Sequence, residues 1–344
     1  MSILITIIAS IFVFGLIIFI HELGHFLAAK FSGIKVIEFA IGMGPVVFRR
    51  IKNETKYTLR LLPIGGFCSM EGEDAESNAE GSFTTAPISN RLMVILAGAV
   101  MNLLLGFIVI IGLTLSAELV PTRTIHSFEQ NSVTEASGLK PGDTIVAMNG
   151  RNMYVSSDII YELARIKGRT TDVVVERGKE KILVNDVEFD ITQNSDGVNE
   201  INLDFYRLGV PKTFGNVLKE SGLWTVSITR LIFVSIVDLF TGNAVINQLS
   251  GPVGIIGVIG QAAMVDFYSL FYILAIISIN LGVMNMLPLP ALDGGRMMIL
   301  IIELITRKHL NPKYEGYIHA AGFILLITLM LFVTYNDITK LFGR

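Results

Sequence analysis

Apolar and polar stretches alternate along this chain on a scale set by a lipid bilayer. Residues 3–29, 92–115 and 270–287 are apolar runs long enough to cross a hydrocarbon core of about 30 Å as helices, and a fourth extends over residues 317–333. Residues 214–239 are also apolar but carry Lys219, Glu220, Arg230 and Asp238, which are costly against lipid, so this stretch is expected at the membrane interface or packed on the bundle. The first run lacks a basic leading segment and a small-residue cleavage site, and is expected to be a retained transmembrane helix rather than a signal peptide.

Between the second and third runs the pattern changes. Residues 122–208 are polar, with strand-like alternation such as 172–176 and turn signals at Pro141-Gly142, Asn149-Gly150 and Arg177-Gly178. This predicts one small inserted domain. The division expected is 1–120 for the first membrane part, 121–208 for the insert, 209–266 for an amphipathic linker region and 267–344 for the second membrane part.

Composition agrees with the pattern. Of 344 residues, 51% are apolar and only 17% charged, which suits a polytopic membrane protein. The net charge of −3 includes no long basic run, so no nucleic-acid partner is expected. A single cysteine, Cys68, excludes an intramolecular disulfide and a cysteine-rich metal cluster, and is expected to be a small buried side chain. Lys30, Lys35, Arg49, Arg50, Lys52, Lys56, Arg60 and Arg91 all fall between the first two runs, with Arg296, Arg307, Lys308 and Lys313 after the third. By the positive-inside rule these segments are cytoplasmic, which places both termini and the inserted domain outside.

The candidate chemistry lies at the end of the first run, where His21-Glu22-Leu23-Gly24-His25 forms H-E-x-x-H. On a helix, positions i and i+4 lie about 40° apart, so both imidazoles face one point and can share a metal. Glu22 falls beside them, placed to take a proton from an activated water. Within a membrane-length helix these groups are expensive unless partnered, at about 2.5–3.5 kcal/mol for a central carboxylate, and a bound cation offsets that cost. If the helix leaves the membrane near Lys30, His21 sits roughly 13 Å inside, nearer the cytoplasm.

A catalytic zinc takes three protein ligands and keeps one open position. His126 lies in the inserted domain, His309 in a basic segment and His319 at the start of the fourth run, so Asp293 is the better-placed third group. Pro288 and Pro290 break the helix just before it, and broken backbone at membrane depth is tolerated where it is buried in protein or lines a wet cavity. On the residues alone, two roles stay open for Asp293: metal ligand, or cap of a short helix starting near Gly294.

Two resemblances bear on these readings. Residues 137–150 contain, from Gly138 on, the pattern G-L-x-x-G-D-x-I-x-x-x-N-G, which resembles the PDZ fingerprint. H-E-L-G-H in the first run, N-x-x-P-x-P-x-L-D-G-G in the third and a PDZ-like insert between the second and third together resemble the site-2 protease family, in its bacterial single-PDZ branch. The resemblance implies an intramembrane zinc metalloprotease in the bacterial cytoplasmic membrane, with one Zn2+ held by His21, His25 and Asp293 near the cytoplasmic side and Glu22 as general base. Its substrates would be single-pass membrane proteins cut during regulated intramembrane proteolysis, such as anti-sigma factors or signal-peptide remnants. The fold implied is a polytopic α-helical membrane protein of about four transmembrane helices, with a membrane-associated β-hairpin and an extracytoplasmic PDZ-like α/β domain that filters or docks substrates and can take a peptide ligand.

Further residues follow from the same comparison. The family's G-P-x-x-N element reads here Gly98-Ala99-Val100-Met101-Asn102, with alanine for proline. The small run 97–99 lets this helix approach the H-E-x-x-H helix, and Asn102 either stabilises the developing oxyanion or forms an interhelical hydrogen bond. Residues 57–70 read as strand, Pro/Gly turn and strand, resembling the family's membrane-re-entrant β element. Around Gly65 and Gly66 its edge either pairs with an unwound substrate or forms a plain cytoplasmic hairpin. Asn280, Asn285, Pro288 and Pro290 resemble residues that surround the substrate, and residues 250–255 match a family loop with no role assigned. The competing class is a membrane-anchored PDZ adaptor or quality-control factor with a structural metal. A metal transporter would need polar residues through several spans.

Overall fold

The computed structural model describes residues 2–73, 77–166, 168–193, 199–241, 251–307 and 312–342. His309 and Ser250, both considered above, lie outside these residues. The chain divides into two compact units, one formed by Met1–Val109 with Leu231–Arg344 and the other by Ile110–Arg230.

In the first unit, α1 (Ser2–Phe31) is apolar on every side, yet only one stripe of it is buried: Ala9, Ser10, Val13, Ile17, His21, Gly24, His25 and Ala29. The H-E-x-x-H histidines therefore continue the packed face of the helix. α2 (Ile88–Ser116) buries Arg91, Val94, Ile95, Gly98, Ala99 and Asn102 at the same helical spacing. Small residues set how closely the helices meet. A Cβ on Gly24 would strike the Ala97 carbonyl, and one on Gly282 in α7 (Phe267–Met286) would lie 2.9 Å from the Ala99 carbonyl oxygen. The expected close approach at residues 97–99 is thus present, and α2 remains a continuous helix through Ala99.

Between α1 and α2 run two long antiparallel strands, β1 (Val36–Lys52) and β2 (Thr55–Met70). Phe39 pairs with both Cys68 and Tyr57, and Ala40 with both Phe67 and Thr58. Residues 36–41 therefore lie between the two halves of β2. Residues 57–70 are strand as expected, but their two halves do not pair with each other across the Pro/Gly segment, because an earlier segment occupies the space between them.

α6 (Pro252–Val265) begins within the family-like loop at residues 250–255. Its first N–H groups are met by a side chain from another helix: Asp337 of α9 (Pro312–Phe342) accepts from the Gly251 N–H at 3.1 Å and the Gly254 N–H at 2.8 Å. A carboxylate at a helix N-terminus satisfies its open donors and its dipole. α8 (Asp293–Thr306) follows α7 after a six-residue break, and its Glu303 forms a buried ion pair with Arg91 at 2.9 Å.

In the second unit, β3 (Val120–Phe128), β4 (Thr144–Met148), β5 (Arg151–Asn152), β6 (Thr170–Arg177), β7 (Glu180–Glu188) and β10 (Phe205–Val210) form one sheet in the order β10-β3-β4-β6-β7, with β5 paired to β4. β8 (Asp190–Gln193) and β9 (Asn199–Asn202) form a separate pair. The helices α3 (Val133–Ala136) and α4 (Ser156–Leu163) close a core of Ile125, Leu139, Ile145, Met148, Ile159, Leu163, Val173 and Phe189. The Gly-Asp of the fingerprint supplies a fully buried carboxylate. Asp143 accepts from the Lys140 N–H at 2.9 Å and pairs with Arg177 at 2.7 Å, which holds the turn before β4.

Among the described residues, five helices are by length and composition candidates to cross a membrane, against the four expected. The fifth candidate is α5 (Phe214–Thr241), which carries Lys219, Glu220, Arg230 and Asp238.

Candidate metal centre

Three side chains from two helices, α1 and α8, converge near the end of α1. His21 Nε2 lies 3.2 Å from His25 Nε2 and 3.2 Å from Asp293 Oδ2, and His25 Nε2 lies 3.4 Å from the same oxygen. Direct hydrogen bonding does not account for this triangle. His25 Nδ1 faces the Val94 carbonyl oxygen at 2.8 Å, and because a carbonyl only accepts, Nδ1 carries the proton and Nε2 presents a lone pair. The Nε2 atoms of both histidines and a carboxylate oxygen thus crowd one point, which calls for a cation between them. With metal–ligand distances of about 2.0–2.1 Å, the corners of a tetrahedral zinc site stand about 3.3–3.4 Å apart, so the triangle fits. His21, His25 and Asp293 are also the one group of potential metal ligands of this kind found among the described residues.

The backbone explains how Asp293 arrives. α7 ends at Met286, the two prolines prevent its continuation, and α8 restarts at Asp293. The N-cap of α8 is Leu292, with no side-chain cap bond, so Asp293 does not serve as the cap. Its two glycine neighbours are required by space. A Cβ on Gly294 would strike the Leu287 carbonyl, and one on Gly295 the Leu289 carbonyl. The first turn of α8 folds directly onto the proline loop and turns Asp293 towards the histidines. Gly98 has the same importance on α2, since a Cβ there would collide with His25 Nε2 and lie 2.7 Å from His21 Cε1.

Glu22 stands beside the triangle. The Cys68 backbone N–H bonds to its carboxylate, and a Cβ on Gly66 would lie 3.5 Å from Glu22 Cγ. The Gly65-Gly66 segment therefore does run past Glu22, and Gly65 adopts φ +87°, a conformation that suits glycine. Cys68 is buried, and burial together with the negative Glu22 and Glu73 pushes its thiol up to about 12, so it is inert rather than nucleophilic.

Asn102 is fully buried, with its Nδ2 3.3 Å from His21 Nδ1 and its Oδ1 without a partner. Amide oxygen and nitrogen are interchangeable by a flip. With His21 Nε2 in the triangle, Nδ1 is the protonated nitrogen, and the flipped amide accepts its proton. Asn102 thus backs His21, on the side away from the triangle. Asn285 lies on the other side, its Nδ2 3.4 Å from His21 Nε2. Ser278, one helical face with Asn285, donates to the Asn102 carbonyl at 2.7 Å and fastens α7 to α2. Asn280 is exposed and is not brought to the site. Pro288 is exposed and Pro290 partly buried in the loop that aims Asp293. The contacts of Val94, Ser278 and the Cys68 backbone were missed from sequence; backbone donors and acceptors leave no residue-type signal.

A helical membrane protein with an H-E-x-x-H pair and a distant carboxylate on one point belongs to the membrane-embedded metallopeptidases. The comparisons identify the family: the model for peptidase family M50 matches residues 9–329, and the chain belongs to that family. A Clostridium perfringens protein provisionally named a zinc metalloprotease is 36% identical over 333 residues, covering 96% of this chain and 98% of that one. Zinc metalloprotease RasP of Geobacillus kaustophilus is 34% identical over 419 aligned residues, covering 98% of each chain. Regulator of sigma-W protease RasP of Bacillus subtilis is 31% identical over 422, covering 98% of this chain and 99% of that one. The protein is a multi-pass membrane zinc metalloprotease, as its resemblance to the site-2 proteases implied.

Proposed function

We propose that this protease hydrolyses peptide bonds within the membrane segments of single-pass proteins, with His21, His25 and Asp293 as its zinc ligands and Glu22 as its general base. The observation that carries the reading is the triangle of two Nε2 atoms and a carboxylate oxygen with edges of 3.2–3.4 Å. Bound there, zinc supplies Lewis-acid activation of water and polarisation of the scissile carbonyl. Glu22 takes the proton of the attacking water and returns it to the leaving amine. Asn285 is placed to donate to the substrate carbonyl, and Asn102 holds the His21 ring.

A transmembrane helix shields its own peptide bonds, so the substrate must be unwound before cleavage. The strand edge at Gly65 and Gly66, which passes Glu22, offers the backbone partner for that extended chain. The loop charges support a cytoplasmic position for the site and an outer one for the PDZ-like unit, which would dock or filter trimmed substrates. The name of the Bacillus subtilis relative, a regulator of sigma-W protease, supports anti-sigma proteins as the substrate class.

The test is Glu22→Gln in the purified full chain. It should keep one zinc per chain and lose cleavage of a single-pass reporter by about 100-fold or more. Full cleavage would overturn the mechanism. The alternative of an adaptor with a structural metal predicts no cleavage by the wild type either.

A further inference from the structure

The loop that delivers Asp293 contains a conformation that a side chain of its type rarely adopts. Ala291, two residues before Asp293, has φ +71°, in the left-handed region that is strained for a non-glycine residue. Internal bonds hold part of the loop: the Leu289 N–H donates to the Leu287 carbonyl at 2.7 Å and the Leu292 N–H to the Leu289 carbonyl at 3.2 Å. Neither involves the N–H of Ala291.

That N–H is met from α9. Ala291 donates to His319 Nδ1 at 3.1 Å, across 28 residues of sequence. A nitrogen that accepts is unprotonated, so the neutral ring carries its proton on Nε2. One turn further along α9, Gly322 faces the same loop, where a Cβ would strike Pro290 and lie 2.7 Å from the Pro290 carbonyl oxygen. His319 and Gly322 stand at i and i+3 and form one face, with an acceptor for the strained residue and a gap for the proline before it. Much of the rest of this helix is exposed, apart from its contact with α6 through Asp337. The contact with the loop is therefore specific and not part of a broad packing surface.

We propose that His319 is a positioning residue of the metal centre, acting through the Ala291 N–H to fix the proline loop and so the carboxylate of Asp293. It does not ligate the metal. Its Nδ1 is engaged by the Ala291 N–H, and the ligand triangle is complete without it. The proposal rests on His21, His25 and Asp293 being the zinc ligands.

The experiment measures zinc affinity of the full chain in detergent against a competing chelator, for the wild type, His21→Ala, His319→Phe, His319→Asn and Gly322→Ala. Phe keeps the ring and removes the acceptor, whereas Asn keeps an acceptor near the Nδ1 position. His319→Phe is expected to weaken zinc binding by about ten-fold or more, as outer-shell partners of metal ligands do. His319→Asn should stay within about three-fold of wild type, and Gly322→Ala should weaken binding in the direction of Phe. Thermal unfolding of the zinc-free proteins separates a local effect from loss of fold, and if His319→Phe does not fold, Gly322→Ala reads the same contact. Wild-type affinity in both His319→Phe and Gly322→Ala overturns the proposal, as does a loss in Asn equal to that in Phe. Wild-type affinity in His21→Ala would instead overturn the ligand assignment itself, so the two failures are distinguishable.

Discussion

His25 donates its Nδ1 proton to the Val94 carbonyl oxygen over 2.8 Å, and this one bond between α1 and α2 decides which face of the ring serves the metal. It fixes the tautomer, aims Nε2 at Asp293 and makes the metal site a property of the helix pair. The spacing of that pair is therefore part of the site.

Gly98 sets that spacing where the rings lie. Gly98→Ala places a Cβ against His25 Nε2 and His21 Cε1, and ring positions fixed on both sides leave little room to yield. Zinc affinity is expected to fall by about ten-fold or more. Zinc content of the purified variant after dialysis against a weak chelator checks this. Retention equal to wild type would show that the helices separate without disturbing the rings.

The position of Asn102 against His21 Nδ1 favours a role in holding the ring over that of an oxyanion donor. The two roles leave different traces. Asn102→Leu should loosen zinc by about 10–100-fold, with the loss of activity largely restored by excess zinc. A variant that binds zinc normally but has a low kcat would return the residue to the oxyanion.

The charged cluster inside the β element gives a pH dependence. Partial burial of Glu38 works to raise its pKa, but hydrogen bonds from Arg60 at 2.7 Å and Thr58 at 2.7 Å, with Lys56 nearby, hold it below the ordinary 4.5. A depressed carboxylate contributes stability that is present above its unfolded value and is lost as pH falls through the folded one. Arg60 also stacks on Phe67 at 4.9 Å, beside the Gly66 that borders Glu22. The β element should therefore become more sensitive to proteolysis below about pH 4.5, and Glu38→Gln should flatten that dependence. An unchanged pH profile in the variant would exclude Glu38 as its source.

The chemistry was legible in the sequence to the degree that it depends on helix geometry. His21, Glu22 and His25 follow from the i, i+4 relation, whereas the residues alone left Asp293 between metal ligand and helix cap, and only the resemblance to the site-2 proteases favoured the ligand. The strand character of residues 57–70 was legible, but the pairing of the β element was not. Residues 36–41 enter between two halves of a later strand, and such pairing is set by distant segments rather than by local alternation. Asn280 and Asn285 look equivalent in sequence but stand five residues apart on α7, about 140° around the helix, so only one can face His21. The roles of Val94 and Ala291 rest on backbone atoms, for which any residue type would read the same.

The buried pair Arg91–Glu303 ties α2 to α8, the two helices that carry Gly98 and Asp293. Its N–O distance is 2.9 Å, and each side chain is 8% exposed. Removing one partner leaves an uncompensated charge in a buried place, which costs about 3–5 kcal/mol, whereas replacing both with apolar groups of similar size is often close to neutral. Glu303→Leu should therefore lower stability to chemical denaturation sharply, and Arg91→Met combined with Glu303→Leu should recover most of it. Methionine keeps the stem of Arg91, whose guanidinium lies 6.0 Å from the Phe83 ring centre. Because α8 carries Asp293 on its first turn, zinc affinity should follow stability through this series. A double variant as unstable as the single one would mean that packing at Glu303, and not its charge partner, holds α8 in place.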